Sequence, residues 1–213
     1  MHIPDGFLDL SVAALFAALS VAVLAVAARR ADGELAGARA PLLGVVAAGV
    51  FAAQMLNWPI PGGTSAHFVG GAFTAILLGP HLGALCVATV VVVQALVFGD
   101  GGVLVLGANV FNMAVVQVYV GYAVYRVVAP YNEFAGAFAA GWLGITAAAV
   151  AAGVQLGVSS AFAYELGTTL AIMGVGHLVL GVVEGAVTAV VYRYLTDARP
   201  DLRHAATSAE VSA

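Results

Sequence analysis

The sequence predicts an all-α membrane protein with about seven transmembrane helices, and three observations lead to this fold class. Hydrophobic residues make up 62% of the 213 positions and charged residues only 8%, whereas soluble domains carry about 25% charge. Apolar runs long enough to cross a bilayer recur along the chain. Short segments rich in Pro, Gly and polar residues separate these runs. The predicted helices are Leu8–Ala28, Pro41–Leu56, His67–Leu78, His81–Phe98, Val103–Val128, Phe134–Gly157 and Thr169–Leu195.

The boundaries of these helices have local causes. Pro41 stands in a first helical turn, where its missing N–H costs nothing. Residues 57–66 contain two prolines and two glycines, which predicts an ordered irregular loop. Gly79-Pro80 ends the short third helix, and the glycine-rich turn 99–102 ends the fourth. At the N-terminus, Asp5-Gly6 predicts a turn that folds the first residues over the outer face.

The positive charges predict the orientation of the bundle. Seven spans put the two chain ends on opposite sides, and all the arginines then fall on the side of the C-terminus. By the positive-inside rule that side is cytoplasmic, so the N-terminus is outside. We therefore expect one domain with a polar N-terminal cap (1–7), a helical bundle (8–195) and a cytoplasmic tail (196–213). The arginines are Arg29, Arg30, Arg39, Arg126, Arg193, Arg199 and Arg203.

The residue types that are missing limit the possible functions. The chain has no lysine, which excludes a Walker A phosphate loop and a Schiff-base lysine. There is no His-Glu-x-x-His motif and no nucleophile paired with a base, so an intramembrane hydrolase has no support. The stretch before the first apolar run holds Asp5 and no Lys or Arg, unlike the cationic start of a signal peptide. We expect no enzyme, no cofactor and no nucleic-acid partner.

The N-terminus carries a histidine directly after the terminal amine, and this arrangement can chelate a metal ion. The amine of Met1, the main-chain nitrogen of His2 and the His2 Nδ1 can bind one ion together in two fused rings. The predicted topology places His67 on the same side, where its imidazole can supply a fourth nitrogen. Four nitrogens in a plane suit Ni(II) or Cu(II), and Co(II) less well, whereas Zn(II) prefers a tetrahedron. The alternative is that both histidines are ordinary solvated side chains.

Further polar side chains lie inside the predicted spans or at their outer ends, where they need a role. In the functional interpretation they orient the N-terminus and His67 from a second layer. In the structural interpretation they form interhelical hydrogen bonds that fix the bundle, and we favour this one for Glu184. The residues concerned are Asn57, Ser65, Asp100, Asn109, Asn112, His177 and Glu184.

These motifs resemble the CbiM/NikM family, the substrate-binding membrane components of energy-coupling-factor transporters for cobalt and nickel. The most specific parts are residues 1–8 (MHIPDGFL) and 53–67 (AQMLNWPIPGGTSAH). The resemblance continues in the same order through 98–102 (FGDGG), 106–113 (LGANVFNM) and 177–184. Ala66 departs from the glycine expected in many relatives.

The resemblance implies that the Met1 amine, both His2 nitrogens and His67 bind the metal. It also implies a multi-pass cell-membrane subunit that captures Ni(II) or Co(II) for an ATP-dependent importer, with a link to cobalamin biosynthesis. The implied partners are a coupling transmembrane protein, a pair of ATPase subunits and a small auxiliary membrane subunit. The alternative function is a stand-alone secondary metal transporter or channel, which needs a continuous polar path through the bundle.

Overall fold

The computed structural model describes residues 1–32, 39–60 and 64–202, and in this part the chain is almost entirely helical, as predicted. Two of the long helices contain a π-helical stretch, at Gln94–Phe98 and at Phe111–Val116. The helices are α1 (Leu10–Arg30), α2 (Arg39–Gln54), α3 (Gly71–Leu78), α4 (Pro80–Val93), α5 (Leu106–Val110), α6 (Gln117–Val128), α7 (Glu133–Val158) and α8 (Leu166–Ala198).

Within the described residues, five helical segments are long and apolar enough to cross a membrane. The two others are shorter: α2 has 16 residues and α3 has eight. At 1.5 Å per residue, α3 is only about 12 Å long, against about 30 Å of hydrocarbon. The prediction that the third helix spans the membrane by itself is therefore wrong. The five segments are Leu10–Arg30, Pro80–Phe98, Leu106–Val128, Glu133–Val158 and Leu166–Ala198.

The segment after α2 was expected to be irregular, but it forms two short antiparallel strands, β1 (Asn57–Ile60) and β2 (Thr64–His67). Asn57 lies opposite His67, and Ile60 lies opposite Thr64. Pairing of the strands satisfies main-chain groups that an irregular segment would leave open. His67 therefore ends a strand instead of beginning a helix.

The C-terminal boundary of the bundle also differs from the prediction. α8 continues through Ala198, three residues beyond the expected end at Leu195. The residues 203–213 of the predicted tail, with Arg203 and His204, lie outside the described part of the chain.

The outer surface of the bundle is apolar. Val21 on α1 and Val179 and Val190 on α8 are each more than half exposed. Such surfaces are unfavourable in water but suit contact with lipid, where helices already satisfy their main-chain hydrogen bonds internally.

The N-terminal segment lies inside the bundle and not over its outer face, which corrects the expected cap. Met1 is 0% exposed and Ile3 is 1% exposed. Both belong to the largest hydrophobic cluster, together with side chains of α4 to α8. The apolar side chains at positions 1 and 3 stabilise this insertion by leaving water, an effect that the overall polarity of residues 1–7 obscures.

Candidate metal centre

The N-terminal segment is held in the bundle first at Ile3. The Ile3 N–H donates to Asn109 Oδ1 at 2.8 Å, and Asn109 Nδ2 donates back to the Ile3 carbonyl at 3.0 Å. The N–H of Gly102 donates to the same carbonyl at 3.0 Å. The main chain immediately after His2 therefore enters the core with its polar groups satisfied.

Two carboxylates anchor the rest of the segment. Asp5 accepts hydrogen bonds from the N–H groups of Val103 (3.1 Å) and Leu104 (2.9 Å). Asp9 accepts from the N–H of Ser160 (2.7 Å) and from its hydroxyl (2.8 Å). These hydrogen bonds from Ser160 lower the pKa of the Asp9 carboxyl. The segment is thus tied to the loop before α5 and to the loop before α8.

The predicted glycine turn 99–102 forms a wall of the site. A Cβ on Gly102 would overlap Asp5. Gly101 adopts a left-handed conformation with φ of 95°, and a Cβ on it would lie 3.1 Å from Asn109 Nδ2 and 3.2 Å from His2 Nδ1. Glycine at these two positions allows the N-terminal segment to approach the turn closely.

The imidazole of His67 presents one free nitrogen. Its Nδ1 lies 2.9 Å from the carbonyl oxygen of Phe68. Because a carbonyl only accepts, Nδ1 carries the proton in the neutral ring and Nε2 keeps its lone pair. His67 is 3% exposed, and Nε2 is buried without a hydrogen-bond partner in the described structure.

A buried network fixes the main chain after His67. Glu184 accepts hydrogen bonds from the N–H groups of Val69 (2.9 Å) and Gly70 (2.8 Å) and from Gln117 Nε2 (2.8 Å). Gln54 Nε2 donates to the Val69 carbonyl at 2.7 Å. Gly70 is left-handed, with φ of 75°. These contacts explain why α3 starts at Gly71, after the turn, and they hold His67 in one position.

His2 and His67 meet in the core. Their rings stack with centroids 4.7 Å apart and an angle of 18° between the planes. The His2 Nδ1 is also buried without a hydrogen-bond partner among the described residues. On the other side of the ring, His2 Nε2 lies 3.7 Å from Asp100 Oδ2. Three buried ring nitrogens therefore lie here without a hydrogen-bond partner in the described structure: Nδ1 and Nε2 of His2, and Nε2 of His67.

Burial favours the neutral forms of the Met1 amine, His2 and His67. Burial lowers the pKa of the Met1 amine to about 4, against the opposing charge of Asp100. Burial, together with that amine, lowers the pKa of His2 to about 3. Burial also lowers the pKa of His67 well below its usual value, with smaller contributions from the amine and His2. Each nitrogen thus has a lone pair available without first losing a proton.

In the described part of the chain, no group of three or more His, Cys, Asp or Glu side chains is arranged to hold a metal ion. The buried amine of Met1 and the amide nitrogen of His2 are the main-chain nitrogens closest to the His2 side chain along the covalent structure.

Three of the predicted second-layer residues contact the N-terminus or the segment after His67. Asp100 faces His2, Asn109 holds Ile3, and Glu184 holds residues 69–70. We expected Glu184 to stabilise the bundle by interhelical hydrogen bonds. Its carboxylate also binds the main chain that directly follows His67.

The remaining predicted residues have other positions. Asn112 forms a reciprocal pair with Gln155, at 2.8 and 2.7 Å, and so links the π-helical stretch before α6 to α7. His177 Nδ1 lies 2.9 Å from the Met173 carbonyl, and its Nε2 is buried without a partner in the described structure. The side chains of Asn57 and Ser65 lie outside the described residues.

Sequence reasoning missed Gln54, Gln117 and Asp5 as supports of the site. The glutamines were interpreted as general packing residues and Asp5 only as a turn former. Gln54 and Gln117 are both 0% exposed, and a buried amide in an apolar helix is the one signal that could have marked them.

Fold and site together define a multi-pass helical membrane protein in which two buried histidines meet beside a buried N-terminus. A sequence model of the CbiM family, described as the cobalt uptake substrate-specific transmembrane region, matches residues 2–202. The chain belongs to this family, and the resemblance noted in its motifs is confirmed.

Individual relatives agree with this assignment. The chain is 60% identical to a putative metal transport protein of Haloquadratum walsbyi, over 95% of the chain and 93% of the relative. It is 58% identical to a putative fused nickel transport protein NikMN of Archaeoglobus fulgidus, over 95% of the chain and 68% of that protein. The crystal structure of a transition metal transporter superposes with a TM-score of 0.89 at 37% identity, covering 93% of each chain.

Proposed function

We propose that the chain is the capture subunit of an ATP-dependent importer for Ni(II) or Co(II) and binds one ion through four nitrogens. The donors are the Met1 amine, the main-chain nitrogen of His2, His2 Nδ1 and His67 Nε2. The observation that carries this proposal is the meeting of His2 and His67 in the core, with Nδ1 and Nε2 unpartnered. A buried polar atom without a partner is costly, and a bound ion removes that cost at both rings.

The donor set favours a particular kind of ion. The amine, the amide and Nδ1 of residues 1 and 2 close a five-membered and a six-membered ring around one metal, and a deprotonated amide enforces a planar arrangement. Ni(II) accepts such a plane readily, and Co(II) does so in its low-spin state, whereas Ca²⁺ and Mg²⁺ require oxygen ligands and Zn(II) prefers a tetrahedron.

The proposed partners follow from what this chain lacks and from its fused relatives. Without a lysine it has no Walker A loop, so ATP hydrolysis is assigned to a pair of separate ATPase subunits joined through a coupling membrane protein. The NikMN relative is named a fused nickel transport protein, and this chain matches 68% of it. We assign the additional part of that relative to a small auxiliary membrane subunit that works with this chain.

The proposed orientation puts the N-terminus outside. Ala31, which follows Arg29 and Arg30, packs in one cluster with Leu195 and Leu202, which flank Arg199. These arginines therefore share one end of the bundle, and the positive-inside rule makes that end cytoplasmic.

Metal binding by the isolated chain is the first test. Detergent-solubilised protein is titrated with Ni(II) against a competing chelator, together with His67→Ala and the control His81→Ala, whose ring contacts Tyr119 instead. We expect His67→Ala to weaken binding by at least about a hundredfold, the loss of one strong ligand, and His81→Ala to leave it unchanged. Equal affinity of wild type and His67→Ala would contradict the proposed site.

Uptake into vesicles tests the transport mechanism. We expect vesicles with this chain alone to take up no Ni(II), and vesicles that also hold the partner subunits to do so with ATP. Uptake by the chain alone would favour the stand-alone transporter.

A further inference from the structure

A cavity of about 240 Å³ lies directly beside His67. It is bounded by Ala53 near the end of α2, by Leu56 just after that helix, and by α8. Most of its lining is aliphatic, but His67, His177 and Glu184 also reach it. The space is therefore large enough for an ion accompanied by water, and one proposed ligand of the metal faces it.

His177 supplies a second unused imidazole nitrogen to this cavity. Its Nδ1 donates to the Met173 carbonyl at 2.9 Å, so the neutral ring keeps its lone pair on Nε2. The side chain is 1% exposed, and Nε2 has no hydrogen-bond partner in the described structure. His67 has the same arrangement, with Nδ1 bound to a main-chain carbonyl and Nε2 unpartnered.

The carboxylate in the cavity is not available in the same way. Glu184 already accepts three hydrogen bonds, from Val69, Gly70 and Gln117, at 2.8 to 2.9 Å. Using it as a ligand would break the network that positions His67. The two imidazoles are therefore the donors that this cavity offers to a cation.

His177 lines the same cavity as His67. His177 stands eleven residues after Leu166, about 16 Å along α8 at 1.5 Å per residue. It is thus placed well inside the bundle, at a depth comparable with half the hydrocarbon thickness of about 30 Å.

We propose that His177 Nε2 is a second metal ligand, which holds the ion together with His67 after the ion has left the N-terminal chelate. This inference rests on the proposed function, since it assigns the next position of the same ion. An ion leaving four nitrogens in an apolar core loses ligands before it reaches water, which is costly. Two imidazoles facing one cavity offset that cost, because His67 retains the ion while His177 replaces the chelate.

The second position can be measured by removing the chelate. In full-length, detergent-solubilised His2→Ala protein, Co(II) is titrated and followed by its visible absorption. We expect weak residual binding, reduced at least tenfold by adding His177→Ala and unchanged by adding His81→Ala. Absence of residual binding, or residual binding that does not respond to His177→Ala, would overturn the inference.

A sulfur probe gives an independent signal that does not depend on affinity. In the same His2→Ala background, His177→Cys should produce a thiolate-to-cobalt charge-transfer band on adding Co(II). Val179→Cys is the control, because it is on the exposed side of α8 at 66% exposure; it should produce no band. A band of equal strength in both, or in neither, counts against a ligand at position 177.

The two proposals fail separately. If the wild-type protein does not bind Ni(II), the proposed function fails. If the wild type binds tightly while the His2→Ala results above are negative, only the second position fails.

Discussion

Asn109 holds Ile3 by both of its main-chain polar groups, accepting from the N–H at 2.8 Å and donating to the carbonyl at 3.0 Å. The two residues are 106 positions apart in the sequence and both are buried. This pair fixes the chain immediately after His2, so it sets where the proposed chelate sits relative to His67.

Replacing Asn109 should therefore weaken metal binding without changing its chemistry. Asn109→Ala leaves the buried N–H of Ile3 without its acceptor, at about 1–3 kcal/mol, and leaves the Ile3 carbonyl with only the N–H of Gly102. We expect Ni(II) affinity to fall roughly tenfold to a hundredfold, measured by chelator competition. The matched control is Asn112→Ala, which removes the pair with Gln155. It should lower thermal stability while affinity stays unchanged, and an equal loss of affinity in both variants would contradict the role given to Asn109.

The glycine turn should be equally sensitive to one added carbon. In Gly102→Ala, the new Cβ overlaps Asp5, and such overpacking costs about 1–3 kcal/mol. The N-terminal segment should be displaced and Ni(II) affinity should fall by about tenfold or more. Gly44→Ala serves as the control because no atom lies within 4 Å of its Cβ position. If the two variants bind equally well, the N-terminus is not held against the turn.

Glu184 should matter for both stability and the position of His67. Glu184→Ala leaves the N–H groups of Val69 and Gly70 and the amide of Gln117 without their acceptor, a total of about 3 kcal/mol or more. We expect a clear drop in the thermal unfolding temperature together with weaker Ni(II) binding. Glu184→Gln keeps one acceptor oxygen, so its unfolding temperature and its Ni(II) affinity should lie between those of the wild type and Glu184→Ala. A stable Glu184→Ala protein with full affinity would show that residues 69–70 do not depend on this carboxylate.

Proton release should distinguish the folded site from the same residues in water. In the folded chain the pKa of the Met1 amine is about 4 and that of His2 about 3, against usual values of 8.0 and 6.5. Both groups are cationic when protonated, and folding lowers their pKa values. The state with the N-terminus inserted in the bundle therefore binds fewer protons than a state with the N-terminus released into water. Insertion is therefore favoured as pH rises from about 4 to about 8, and it weakens as pH falls through this window.

The measurement is the number of protons released per Ni(II) at pH 7, obtained by calorimetry in buffers of different ionisation enthalpy. The protein should release about one proton, from the His2 amide, because its amine is already neutral. A peptide of residues 1–7 should release about two, from the amide and the exposed amine. Release of two or more protons by the protein would contradict a preformed, buried amine.

The helices could be predicted because their signals are local. Apolar runs and the breaks at Pro41, Gly79-Pro80 and 99–102 are visible in the sequence itself, and the observed ends differ by only a few residues. The start of α3 could not be predicted in this way. It depends on Glu184, which binds Val69 from 115 positions further along the chain.

In the candidate site, too, the residues marked by local sequence could be predicted and those that depend on distant partners could not. Met1 and His2 could be selected because adjacent covalent structure determines the chelate rings. The supports provided by Gln54, Gln117 and Asp5 could not be assigned, because each depends on a partner brought close only by folding. The burial of the N-terminus was also missed, since the apolar pair Met1 and Ile3 is separated by a polar residue.

The central claim is that the terminal amine is itself a ligand, in a plane with three other nitrogens. The most direct test compares the Ni(II)-loaded protein with an otherwise identical chain that retains its N-formyl group, using visible absorption and magnetic susceptibility. The free chain should give a diamagnetic, planar four-nitrogen complex, and the formylated chain should lose it. A paramagnetic six-coordinate complex in the free chain, or the same planar spectrum in both chains, would contradict the account.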